Sequence, residues 1–134
     1  MFYSRWDHFY RKMNRVLSLA LDRYNLSPSQ LLLLNVTALK QSVNAKEIGE
    51  NMDLDSASVA GLTARLEKKG FLRKNKGLDR RFSEFSLTPR GKELQSLGAS
   101  MLLEFELKTR SALTTEEGAQ FQLMLEKMEQ EWIR

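Results

Sequence analysis

Residues 53 to 91, DLDSASVAGLTARLEKKGFLRKNKGLDRRFSEFSLTPRG, decide how the whole 134-residue chain reads. Asp55 is placed to cap a helix over residues 56 to 69, and Gly70 stands where a left-handed stop belongs. Two strand-like runs follow, 71 to 75 and 82 to 87, with Phe85 and Leu87 on the inward side of a two-residue period. A basic tip, Lys76 to Arg81, joins them, and Thr88-Pro89-Arg90-Gly91 opens another helix. Just upstream, Asn44 and Glu47 make a capping pair over a short helix ending near Asn51. A short helix, a tight turn and a longer helix make a helix-turn-helix, and here a hairpin follows it.

On the longer helix, Val59, Leu62 and Leu66 share the core face. The opposite face carries Ala57, Ala60, Gly61, Ala64 and Lys68, flanked by Ser56 and Arg65, with Ser58 and Thr63 toward its sides. A solvated face is normally charged. One of Ala and Gly suits a helix that lies close to something, either the floor of a nucleic-acid groove or further protein.

Charge sharpens that choice. Residues 65 to 92 hold ten Lys or Arg against three Asp or Glu, whereas residues 93 to 134 hold four against eight. A basic patch on a mildly acidic body is the footprint of a polyanion binder, although a solvated basic loop has the same composition. Lys74, Lys76, Arg80 and Arg81 concentrate the charge on the hairpin. Asp79, two residues before Arg81, can hold its guanidinium in one orientation, which suits a narrow, negative minor groove.

The flanks read as helices. Residues 4 to 24, with Ser4 as cap, carry Trp6, Phe9, Tyr10, Met13, Val16 and Leu17 on a wide apolar stripe. Ser27-Pro28-Ser29-Gln30 is a capping box for a scaffold helix to about Gln41, buried through Leu31 to Leu34, Val36 and Leu39. After Thr88, a long helix runs to about 111 with Leu94, Leu97, Met101, Leu102 and Phe105 on one stripe. Thr114 and Glu117 open a last helix bearing Phe121, Met124, Leu125, Met128 and Trp132. Terminal helices with aromatic anchors at Trp6 and Trp132 have no evident single-chain core to fill, so they are expected to pair two copies of the chain; a closed monomeric bundle is the alternative.

Several function classes are disfavoured. There is no Cys, so neither a disulfide framework nor a thiol switch is available, which fits a reducing cytoplasm. The longest apolar run, Leu31 to Leu34, is too short to span a membrane. No Ser/His/Asp set, phosphate loop or metal-spaced His cluster occurs, so no catalytic or metal residue and no cofactor is assigned. His8, the sole histidine, reads as a partly buried helix residue.

With Asp79, Arg81, Phe85, Leu87, Thr88 and Gly91 in place, the chain resembles the MarR family of bacterial transcription regulators, whose hairpin pattern is Asp-x-Arg-x-x-x-apolar-x-Leu-Thr-x-x-Gly. Leu62, Arg65, Leu66, Glu67, Lys69 and Gly70 match the family's usual end of the recognition helix. The resemblance implies a mainly α fold: a winged helix-turn-helix with a small β-hairpin wing and N- and C-terminal dimerisation helices. Residues 1–134 would form one MarR-like domain, with 27–91 as the DNA-binding lobe and 1–24 and 92–134 as dimerisation helices.

By the same resemblance, a homodimer would bind double-stranded DNA at a pseudo-palindromic operator, most often as a repressor. Helix 56 to 69 would enter the major groove and Arg81 the minor groove, while Ser42, Asn44 and Ala45 would lie near phosphates. Trp6, Phe9, Tyr10, Met13, Phe121, Leu125, Met128 and Trp132 would form the dimer interface. Some relatives answer to small aromatic acids, and Phe9, Tyr10, Arg11, Arg15 and Tyr24 are candidates to line such an effector pocket. Gly61, Ala60 and Ala64 depart from the polar residues frequent in the family, which leaves few groups to bond base edges and predicts readout through thymine methyls and groove shape. A protein-interaction adaptor on the same frame is the alternative function.

Overall fold

The computed structural model describes residues 1–77 and 82–133. Its elements run α1 (Phe2–Asp22), α2 (Pro28–Lys40), β1 (Val43–Asn44), α3 (Ala45–Met52), α4 (Ser56–Lys68), β2 (Leu72–Lys76), β3 (Ser83–Leu87), α5 (Pro89–Arg110) and α6 (Thr115–Ile133). The chain divides into two compact units, Met1–Ser100 and Met101–Arg134.

Local capping fixes the first unit's helices. Ser27 Oγ accepts from the Gln30 amide at 3.2 Å, and Gln30 Oε1 accepts from the Ser27 amide at 3.1 Å. Asn44 and Glu47 repeat the arrangement at 2.8 and 3.1 Å. Each box satisfies two amides that a helix start leaves without partners. Asp55 accepts from the Ser58 amide at 2.7 Å, and that backbone bond is the main reason its carboxyl is held below the ordinary carboxylate range.

A carboxyl whose pKa falls on folding stabilises the fold fully above its unfolded value, about 3.9, and loses that contribution as pH drops through the folded value. Asp55→Asn keeps a capping oxygen that does not titrate. Thermal melts between about pH 5 and pH 2 should therefore show the wild type losing stability relative to Asp55→Asn. Melts that stay parallel would remove the cap from the stability of α4.

The core of this unit is aliphatic. Leu21, Leu31, Leu33, Leu34, Val43, Ile48, Val59 and Leu66 are all but fully buried, and burial of such side chains is worth about 1.5–3 kcal/mol each. The sheet is antiparallel with order β1-β3-β2, pairing Leu72 with Leu87 and Val43 with Phe85. The strand β1 is absent from the sequence reading, because two residues carry no periodicity of their own.

The joint after α4 is tightly built. Gly70 takes φ +81°, the left-handed stop expected of it. Thr88 Oγ1 donates to the Gly70 carbonyl at 2.6 Å and accepts from the Gly91 amide at 3.0 Å, so one hydroxyl ties the end of α4 to the start of α5. The Thr88 amide donates to the Phe71 carbonyl at 3.1 Å. Gly91 is buried against that same carbonyl, where a Cβ would overlap the oxygen.

Some expectations change. Helix α1 starts at Phe2 with Met1 at its cap position, and Ser4 donates to the Met1 carbonyl instead of capping. Leu32 and Leu39 of α2 are 49% and 86% exposed: the helix is covered on one side, and its leucine run extends past the covered arc. Thr63 is buried, donating its hydroxyl to the Val59 carbonyl at 2.9 Å, and it lies at the edge of the outer face as its position on α4 predicts. His8 is exposed.

Only Leu21 of α1 is buried, while Trp6, Phe9, Tyr10, Val16 and Leu19 stand in the open. In the second unit, Thr114 and Glu117 form the expected capping box at 2.9 and 3.1 Å. Helix α6 buries none of its described residues and exposes Phe121, Met124, Met128 and Trp132.

Candidate nucleic-acid interface

The outer side of α4 borders an open cleft of about 820 Å³, walled by α3, α4 and the hairpin strands. Ser56, Val59, Ala60, Thr63 and Ala64 line it from α4, and Lys74, Phe82, Ser83 and Phe85 from the hairpin. Helix α3 and the turn after it contribute Ala45, Lys46, Gly49, Glu50, Asp53 and Leu54. Gly49 permits the α3–α4 approach, since a Cβ there would sit 2.9 Å from the Leu54 carbonyl oxygen. Asp53 turns the chain between the helices with φ 53°.

Of the residues assigned from sequence, Ser56, Ala60, Ala64 and Lys74 are thus brought together. Ala57, Ser58, Arg65 and Lys68 are exposed on α4 but do not line the cleft. Arg65 folds along its own helix, and its guanidinium lies 3.6 Å from where a Gly61 Cβ would be. The missing side chain gives that cation a smooth bed on the helix surface. Asn44 is half-buried with its side-chain oxygen committed to the α3 cap, while Lys76 is exposed at the end of β2. Asp79, Arg80 and Arg81 lie outside the described residues.

The cleft adds residues that sequence reading missed. Glu67 follows Ala60 and Ala64 by seven and three positions and faces the same space. Lys46 and Glu50 lie four residues apart on the outer side of α3, and Asp53 follows three residues later in the turn, a spacing that marks one wall only when α3 and α4 share it. The hairpin is also tied back to the body, because Ser42 donates its hydroxyl to Glu84 at 2.9 Å. That bond orients β3 against the linker before α3, so Ser42 is occupied within the protein.

The proposed effector-pocket residues do not converge in either described cleft. Arg11 is paired with Asp7 at 2.9 Å, Arg23 lies over the Tyr24 ring at 4.7 Å, and Phe9 and Tyr10 are exposed. A second cleft of about 730 Å³ lies where α2, the hairpin and α5 meet; its cations are Arg73 and Lys92. Among the described residues no His, Cys, Asp or Glu group has metal-binding spacing, and no helix is long and apolar enough to cross a membrane.

A family model described as the MarR family matches residues 26–81. The HTH-type transcriptional regulator SarZ of Staphylococcus aureus (strain USA300) is 30% identical over 97 residues, which span 69% of this chain and 66% of that protein. The SarZ of Staphylococcus epidermidis is matched over 53% of its length at 33% identity. The S. aureus MepR–DNA complex shares the fold with a TM-score of 0.90 at 19% identity, over 98% of this chain and 96% of that one. The organohalide-sensing regulator RdhR, in its 2,4-dichlorophenol-bound form, does so with a TM-score of 0.88 at 17% identity, over 97% and 78%.

Proposed function

The chain belongs to the MarR family of transcription regulators and is not an enzyme, and from that premise we infer that it works as a homodimer on double-stranded DNA, as a repressor at a pseudo-palindromic operator. The observation that carries this reading is the small-residue wall of α4, Ala60 and Ala64, standing open beside a hairpin that bears Lys74. Side chains of that size let a helix sit deep in a major groove. The relative SarZ is named a transcriptional regulator, and the MepR neighbour is a complex with DNA.

The dimer reading rests on apolar surface seen separately in each unit. Trp6, Phe9 and Tyr10 of α1 are 39 to 55% exposed, and Phe121, Met128 and Trp132 of α6 are 38 to 82% exposed. Met13 and Leu125 are half-buried beside them in sequence. Large apolar side chains exposed at helical spacing mark association surfaces. A small acidic or aromatic effector is part of the proposal; the cations Arg73 and Lys92 in the second cleft suit a carboxylate or phenolate. The RdhR neighbour is a sensor bound to a chlorophenol.

Selection of bound DNA from a random pool, followed by salt titration on the selected site, tests the reading. The selected sites should be inverted repeats rich in A·T, and affinity should fall steeply with salt. Arg81→Ala should weaken binding at every site and reduce the salt slope by about one per protomer. No binding at low salt, alongside a stable complex with another protein, would favour an adaptor instead.

A further inference from the structure

We propose that Lys69 is a positioning residue that locks the recognition helix α4 to the α1–α2 corner and thereby sets the half-site spacing a dimer accepts. This rests on the dimeric DNA-binding reading above.

The Lys69 ammonium reaches back from the end of α4 to donate to the Asn25 carbonyl at 2.7 Å and to Gln30 Oε1 at 2.9 Å. Both partners are themselves fixed. Asn25 is held with φ 56°, and its amide donates to the Asp22 carbonyl at 2.9 Å. Gln30 is buried, and the same Oε1 accepts the Ser27 amide that closes the α2 capping box. One oxygen therefore serves the start of α2 and the end of α4 together.

No carboxylate pairs with this ammonium among the described salt bridges. Burial pushes its pKa down, as expected of a lysine drawn from water without an opposite charge. Its bonds are charge-assisted and run to acceptors held in fixed positions, so they tie the end of α4 to one place. On the other side of the same joint, Thr88 holds the Gly70 carbonyl. The end of α4 is thus fastened toward α1 and α2 by Lys69 and toward α5 by Thr88.

The lever is long. Thirteen residues make α4 about 20 Å long, and a tilt of about 10° at its end would move its start by about 3 Å. That is about one base-pair step of DNA. Loosening the joint should therefore blur which spacing fits, while leaving each half-site contact in place.

The test uses the full chain and inverted repeats built from its selected half-site, with the spacing varied one base pair at a time. The wild type should bind one spacing best and lose about tenfold or more at its neighbours. Lys69→Met, which keeps the stem and removes the donors, should cut that neighbour penalty to about threefold or less. Lys69→Arg, which can still donate, should restore most of the discrimination. Leu34→Ala, a core truncation away from the joint, should lower the melting temperature and keep the sharp optimum. An optimum in Lys69→Met as sharp as the wild type's overturns the proposal alone. A wild type with no spacing preference overturns the dimer reading and this proposal with it.

Discussion

Gly91→Ala is expected to melt roughly 10 °C or more below the wild type, the equivalent of about 3 kcal/mol or more. The reason is local and severe. An added Cβ would overlap the Phe71 carbonyl oxygen and come within 2.9 Å of its carbon. That carbonyl cannot retreat freely, because it accepts the Thr88 amide at 3.1 Å and stands directly before β2, whose Leu72 pairs with Leu87. Relief requires α5 to shift away from the end of α4, which would stretch the Thr88 bond to Gly70 and disturb the packing of buried Leu94. Thermal or urea denaturation of the purified variant checks it. A melting temperature within about 2 °C of the wild type would mean that α5 moves cheaply and that the glycine serves no packing role.

Ala64→Glu is expected to keep the fold and to lose DNA binding about a hundredfold or more. Ala64 is exposed in the interior of α4, and Glu is nearly as good a helix former as Ala, so the helix should persist. The new carboxylate would stand in the cleft beside Glu67 and opposite Lys74, where the proposed DNA surface would bring phosphates close. Ala64→Gln, of the same size without the charge, should lose much less, which separates repulsion from bulk. Fluorescence anisotropy on the selected site, with circular dichroism as the folding control, gives the comparison. Wild-type affinity in Ala64→Glu would show that this face never meets DNA and would turn attention to the adaptor reading.

Gly91 could be read from sequence as the last member of a hairpin pattern, but its physical role became visible only when Phe71 was seen against it. Ala64 was placed on the outer face from helical period alone, and the cleft agrees with that placement. The period also put Lys68 there, whereas the cleft takes Glu67 in its place. A 100° step assigns a broad face, and the neighbouring wall selects which edge of that face is used.

By itself the sequence determined the order of the helices, the capping boxes at Ser27, Asn44 and Thr114, the Gly70 stop and the hairpin after α4. These are short-range matters: a cap and its amide are three residues apart, so local chemistry suffices. Tertiary structure alone decided that Val43 and Asn44 add a third strand, that Thr63 is buried while Leu32 and Leu39 are exposed, and that Lys69 finds partners 39 and 44 residues away. Those outcomes depend on which surfaces meet after the chain has folded back on itself. An apolar or charged side chain announces that it will have a neighbour, and only packing in three dimensions chooses which one.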